Sequence, residues 1–112
     1  MSGLTTHVLD IGHGVPAQGV TVALYRLQKG EWKAIATAAT NADGRIDSPF
    51  LPVEPLPGEY QLVFHIGEYY AKREVETFLS TVPVRFVLSS PQEHYHVPLL
   101  VSPWGYQTYR GS

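Results

Sequence analysis

The stretch HYHVPLLVSPWGYQTYRGS, residues 94–112, reads as two strands joined by a break. From His94 to Val101 the residues fall into two alternating sets. His94, His96, Pro98 and Leu100 share one face, and Tyr95, Val97 and Leu99 take the other, because successive side chains of a strand point to opposite sides. Ser102-Pro103 interrupts the pattern, and a last strand runs from about Gly105 to Tyr109. Tyr109-Arg110-Gly111-Ser112 follow directly. Most domain ends fray and carry little, and the pattern alone does not say why an aromatic, a cation and a hydroxyl stand straight after a strand.

Upstream, the same period of two recurs. Val82–Leu88 places Val84, Phe86 and Leu88 inward, and Glu59–Ile66 does so with Tyr60, Leu62, Phe64 and Ile66. Between these strands, Glu68–Val75 lacks alternation and holds the helix formers Ala71, Lys72, Arg73 and Glu74, which predicts one helix of about two turns. Residues 49–58 are proline-rich and aperiodic and read as a loop. Gly19–Leu27 and Trp32–Thr40 form a hairpin over Gln28-Lys29-Gly30-Glu31. Asn41-Ala42-Asp43-Gly44 is a second turn, followed by a short strand at Arg45–Asp47. In Thr5–Ile11, His7, Leu9 and Ile11 oppose Thr6, Val8 and Asp10, and a loop spans Gly12–Pro16. Roughly eight short strands and one helix predict an all-β antiparallel sandwich or barrel.

The length of 112 residues suits a single domain spanning 1–112. Hydrophobic residues are 44% and charged residues 16%, a globular composition rather than a disordered one. A net charge of -2 with scattered basic residues gives no field for nucleic acid. With no cysteine, disulfides, thiolate zinc sites and cysteine nucleophiles are excluded. Neither a signal-peptide pattern nor an apolar run near the ~18 residues of a membrane helix is visible. The expectation is a cytoplasmic protein without a membrane partner.

No nucleophile elbow, phosphate loop or H-E-x-x-H motif occurs. Chemistry then rests on the histidines, Arg45 and the C-terminal residues. Imidazole titrates near neutrality and can take and give a proton. A guanidinium can hold an oxyanion. His94-x-His96 could also present two imidazoles to a metal ion. Against each stands a plainer reading: half-exposed strand histidines, a solvated arginine, a polar tail. Asp10, on its strand, could be an inward hydrogen-bonder.

LTTHVLDIGHGVPAQGV near the start, NADGRIDSPF in the middle and HYHVPLLVSPWGYQTYRGS at the end resemble, in that order and across the whole chain, the transthyretin-like family. The likeness is strongest to the branch that hydrolyses 5-hydroxyisourate. Tyr109-Arg110-Gly111-Ser112 is the most specific element, since the hormone-carrying branch has a different, longer tail. The resemblance implies a sandwich of two four-stranded sheets with one short helix after the fifth strand. It also implies a homotetramer, a dimer of dimers with a channel between.

Carried over residue by residue, the family's site falls on His7, Arg45, His96 and Ser112 as catalytic groups. Tyr109, Arg110 and Gly111 join them in binding substrate. No metal or other cofactor is implied. If the first, fourth, seventh and eighth strands share a sheet, one outer face carries His7, Arg45, His96 and Tyr109. The implied reaction opens the pyrimidine ring of 5-hydroxyisourate in urate breakdown. A non-catalytic small-molecule carrier is the alternative.

Overall fold

Alternation governs the first strand, β1 (Gly3–Asp10): Leu4, Thr6, Val8 and Asp10 are buried, while Thr5, His7 and Leu9 are half-buried. The computed structural model describes residues 3–47, 50, 56–90 and 93–111. After β1 come β2 (Val15–Pro16), β3 (Thr21–Gln28), β4 (Glu31–Ala39), β5 (Gly58–Phe64), α1 (Ile66–Ala71), β6 (Val82–Leu88), β7 (His94–Ser102) and β8 (Gly105–Thr108). Two four-stranded sheets result, in the orders β2-β1-β7-β8 and β4-β3-β5-β6.

The strand pairs are antiparallel except β1 with β7, which run parallel. This corrects the expectation of a purely antiparallel sandwich. A parallel pair needs a long connection, and here the whole second sheet lies between the two strands in sequence.

The inner faces meet as a core. β1 gives Leu4 and Val8, and β7 gives Tyr95, Val97, Leu99 and Val101. The other sheet supplies Val22, Leu24, Tyr60, Leu62, Phe64, Val82 and Leu88. Each large side chain so buried contributes roughly 1.5–3 kcal/mol. The hairpin between β3 and β4 turns on Lys29 and Gly30, at φ 51° and 80°, the paired positive angles that suit strand twist.

Three of the departures from the sequence pattern bear on the site and its supports. The strand expected at Arg45–Asp47 shrinks to a single bridge between Arg45 and His7. Its place at the edge of β1 is shared with β2, which lies in the segment read as a loop and pairs Leu9 with Pro16. The helix starts two residues earlier than expected and ends at Ala71. Packing sets that position: Ile66, Tyr69 and Tyr70 are buried, the i, i+3, i+4 stripe of a docked helix. Propensity in 72–75 is a weak prior against it, and Glu74, at φ 56°, breaks the helical path.

Candidate active site

Asp10 anchors the far end of β1. Its carboxylate is buried and accepts hydrogen bonds from the hydroxyls of Tyr69 and Tyr70, both at 2.9 Å. The Gly12 and His13 backbone N–H groups also donate to it, and His13 Nδ1 lies 2.8 Å away. Burial alone would raise its pKa. The hydrogen bonds from His13, Tyr70 and Tyr69 outweigh that and hold it below the ordinary 3.8. The cost appears on the donors: burial and then the Asp10 bond push Tyr69 up to about 12, and Tyr70 is raised too. This network ties α1 to β1 and fixes the strand that carries His7.

The opposite face of the same sheet holds the candidate site. His7 and Thr5 on β1 share that face, as do His94 and His96 on β7. The parallel register sets Thr5 opposite His96 and His7 opposite Pro98. Arg45 joins from the other edge of β1 through its bridge to His7.

A tight turn presents Arg45. Asn41 Oδ1 accepts from the backbone N–H groups of Asp43 and Arg45, and the Asn41 N–H donates to the Arg45 carbonyl at 2.7 Å. Gly44, at φ 77°, closes the turn so tightly that a Cβ there would run into the Val8 carbonyl and press on His7 Cδ2. Only glycine suits that position. Among the described residues, no hydrogen bond or ion pair holds the exposed Arg45 guanidinium. A cation delivered by a rigid turn and left without a partner can receive an anionic or carbonyl oxygen.

His96 is bonded at both its ring and its backbone. Its Nδ1 lies 2.8 Å from the Thr5 hydroxyl, whose oxygen is also 3.0 Å from His94 Nε2. The Gly111 N–H donates to the His96 carbonyl at 2.7 Å. Burial lowers the His96 pKa below 6.5, and the nearby charges of Arg45, His7 and His94 lower it further. A backbone hydrogen bond to Thr5 acts the other way, and the net effect favours the neutral ring.

The last residues divide between two faces. Leu99 pairs with Thr108 and His96 bridges Gly111 in one continuous register. Tyr109 thus falls opposite Pro98, on the face of His96, while Arg110 falls opposite Val97, on the core side. The Arg110 guanidinium lies over the Tyr95 ring, 4.3 Å from its centre, and bonds Glu93 at 3.0 Å. Within one chain it is not gathered with His7, Arg45 and His96. Ser112 lies outside the described residues. Thr5 was not singled out from the sequence, although it shares a face with His7 two residues on. Among the described residues, no group of three His, Cys, Asp or Glu side chains is placed to hold a metal ion.

Comparison with known proteins places these features in a family. The HIUase/Transthyretin family model matches residues 4–111. A 5-hydroxyisourate hydrolase of Pseudomonas aeruginosa is 51% identical, with 100% of this chain and 93% of that protein covered. The structure of Klebsiella pneumoniae 5-hydroxyisourate hydrolase superposes with a TM-score of 0.86 at 42% identity, over 100% of both chains. Sea bream transthyretin in complex with thyroxine superposes at 0.91 with 28% identity, over 97% of this chain and 94% of that one. The chain belongs to the HIUase/transthyretin family, on its hydrolase side.

Proposed function

We propose that this hydrolase acts on 5-hydroxyisourate and yields 2-oxo-4-hydroxy-4-carboxy-5-ureidoimidazoline. Water adds across a ring C–N bond: the carbonyl carbon gains the hydroxyl, the nitrogen gains a proton, and the bond between them breaks. The single observation that supports this most is the convergence of His7, Arg45 and His96 on one face of one sheet. The names of relatives at 42–51% identity agree with it.

One imidazole takes a proton from the attacking water. Arg45 holds and polarises the ring carbonyl, stabilising charge that develops on its oxygen. The second imidazole and the Ser112 hydroxyl orient water or relay the proton to the leaving nitrogen. Tyr109, Arg110 and Gly111 complete the substrate's surroundings. The chemistry is acid–base and electrostatic throughout and calls on no cofactor.

The working form is a homotetramer, a dimer of dimers with the sites in the channel between dimers. Apolar side chains around the same sheet support this: Leu9 and Leu100 on the site face, and exposed Ile11, Val15, Trp104 and Tyr106 at the strand ends. Exposed apolar groups gathered on one part of a surface mark an interface. In that assembly Arg110, displaced from His96 within its own chain, lies near a subunit boundary. A carrier role is less well supported, because the polar groups of His7, Arg45 and His96 would occupy a channel that an apolar ligand needs clear.

Freshly made 5-hydroxyisourate, followed by ultraviolet absorbance with and without the purified protein, tests the activity. Faster decay that persists in a chelator supports the proposal. Decay at the spontaneous rate refutes it, and loss of activity on chelation refutes the metal-free chemistry.

A further inference from the structure

The Thr5 hydroxyl is shared between two imidazoles, 2.8 Å from His96 Nδ1 and 3.0 Å from His94 Nε2. The parallel register of β1 and β7 brings this about, with Thr5 opposite His96 and Gly3, lacking a side chain, opposite His94. A hydroxyl has one hydrogen and can donate to one acceptor only, whereas its oxygen can accept. If Thr5 donates to His94, the contact to His96 requires His96 to donate its Nδ1–H to the Thr5 oxygen. Neutral His96 then carries a bare lone pair on Nε2. If Thr5 donates to His96 Nδ1 instead, the single proton of the neutral ring sits on Nε2, and that nitrogen cannot take another.

We propose that Thr5, with His94 as the acceptor of its hydroxyl hydrogen, is a positioning residue that holds His96 in the tautomer protonated at Nδ1, leaving Nε2 free to accept a proton from water. The proposal rests on the hydrolytic reading above and assigns the base within it. The partner on one ring nitrogen of a histidine sets the state of the other. Among the described residues, His94 is the one side chain other than His96 bonded to this hydroxyl. Without it the hydroxyl would turn its hydrogen toward His96 Nδ1, the unproductive sense.

The other groups around His96 do not oppose this arrangement. Arg45 disfavours a second proton on the resting ring without choosing which nitrogen holds the first, as His7 and His94 do only when charged, and the Gly111 N–H is spent on the His96 carbonyl. His94 has a role here without touching the reacting atoms.

Nitrogen-15 NMR of the imidazoles in substrate-free protein, with kinetics of Thr5→Val, Thr5→Ser and His94→Ala, tests it. The expected result is a resting His96 with Nδ1 protonated and Nε2 bare. In Thr5→Val and His94→Ala the Nε2-protonated form should grow. Thr5→Val should lower kcat about tenfold, a part of the ~10²–10⁴ of a general base, with KM little changed. Thr5→Ser should restore both the spectrum and the rate. A wild-type His96 protonated at Nε2 overturns the proposal, as does an unchanged tautomer in a folded Thr5→Val. The spectrum needs no substrate, so it judges the tautomer even if 5-hydroxyisourate proves to be the wrong substrate.

Discussion

Gly111 lies directly against His96: its N–H donates to the His96 carbonyl at 2.7 Å, and a Cβ added to it would sit 2.6 Å from His96 Cδ2. The backbone can approach the ring this closely only because glycine has no side chain. Gly111→Ala should tilt or displace the imidazole. Turnover should fall by about 10²-fold, while the melting temperature moves little, since only one exposed segment is disturbed. Removing Gly111-Ser112, or adding a C-terminal tag, should act in the same direction. Initial rates and melting curves of the variants side by side check this.

The imidazoles should separate by role. His7→Ala should reduce turnover by at least ~10²-fold in a protein that stays folded, in line with general acid–base contributions. His94→Ala should stay within roughly tenfold of wild type, as expected of a group acting through Thr5. Steady-state kinetics on proteins matched by circular dichroism distinguish the two. A His94→Ala loss as large as that of His7→Ala would reverse the assignment.

Arg45 should show itself twice. Arg45→Gln removes the donor for the ring carbonyl and should cost about 10²–10³ in kcat. It also removes a positive charge that disfavours protonated His96. The wild-type His96 pKa lies below 6.5, so a base at this position survives as the pH falls through 6.5 and is lost only lower. Without the Arg45 charge that pKa rises, and the acid limb of the rate profile should move to higher pH. A pH–rate profile of each protein reads the shift and its sign.

Asp10 should matter for stability rather than chemistry. Its buried carboxylate accepts from Tyr69, Tyr70 and the backbone of Gly12 and His13. Asp10→Asn replaces an acceptor-only group by one with two donors and should cost about 3 kcal/mol. Because folding lowers the Asp10 pKa below 3.8, its contribution is fully present above that value and is lost as the pH falls through the lower, folded one. The stability gap between wild type and Asp10→Asn should therefore narrow in strong acid. Denaturant titrations at pH 7 and near pH 3 measure it.

Much of this was legible because a strand has a period of two. That period alone puts His7 opposite in sense to Val8, and His96 opposite in sense to Val97, so the site face and the core face separate without a structure. Resemblance then supplied which strands share the site's sheet, although the one expected at Arg45–Asp47 is a single bridge to His7. The pairing of β1 with β7 could not be read from either strand, because it joins residues about ninety positions apart and only register decides who meets whom. The Thr5 contact to both imidazoles depends on that register, which is why Thr5 passed unnoticed. Arg110 is the converse case. One residue of parity sends it to Tyr95 and Glu93, although its neighbours Tyr109 and Gly111 stand with His96. The early start of α1 was hidden because tyrosines bonding Asp10, some sixty residues away, outweigh local propensity.

The most direct test of the central claim compares wild type with His96→Ala in the ultraviolet decay of fresh 5-hydroxyisourate, at equal protein concentration and with sedimentation confirming the same assembly. The account predicts rapid decay with wild type, at least ~10²-fold slower turnover with His96→Ala, and a tetramer for both. Equal acceleration by the two folded proteins would contradict it.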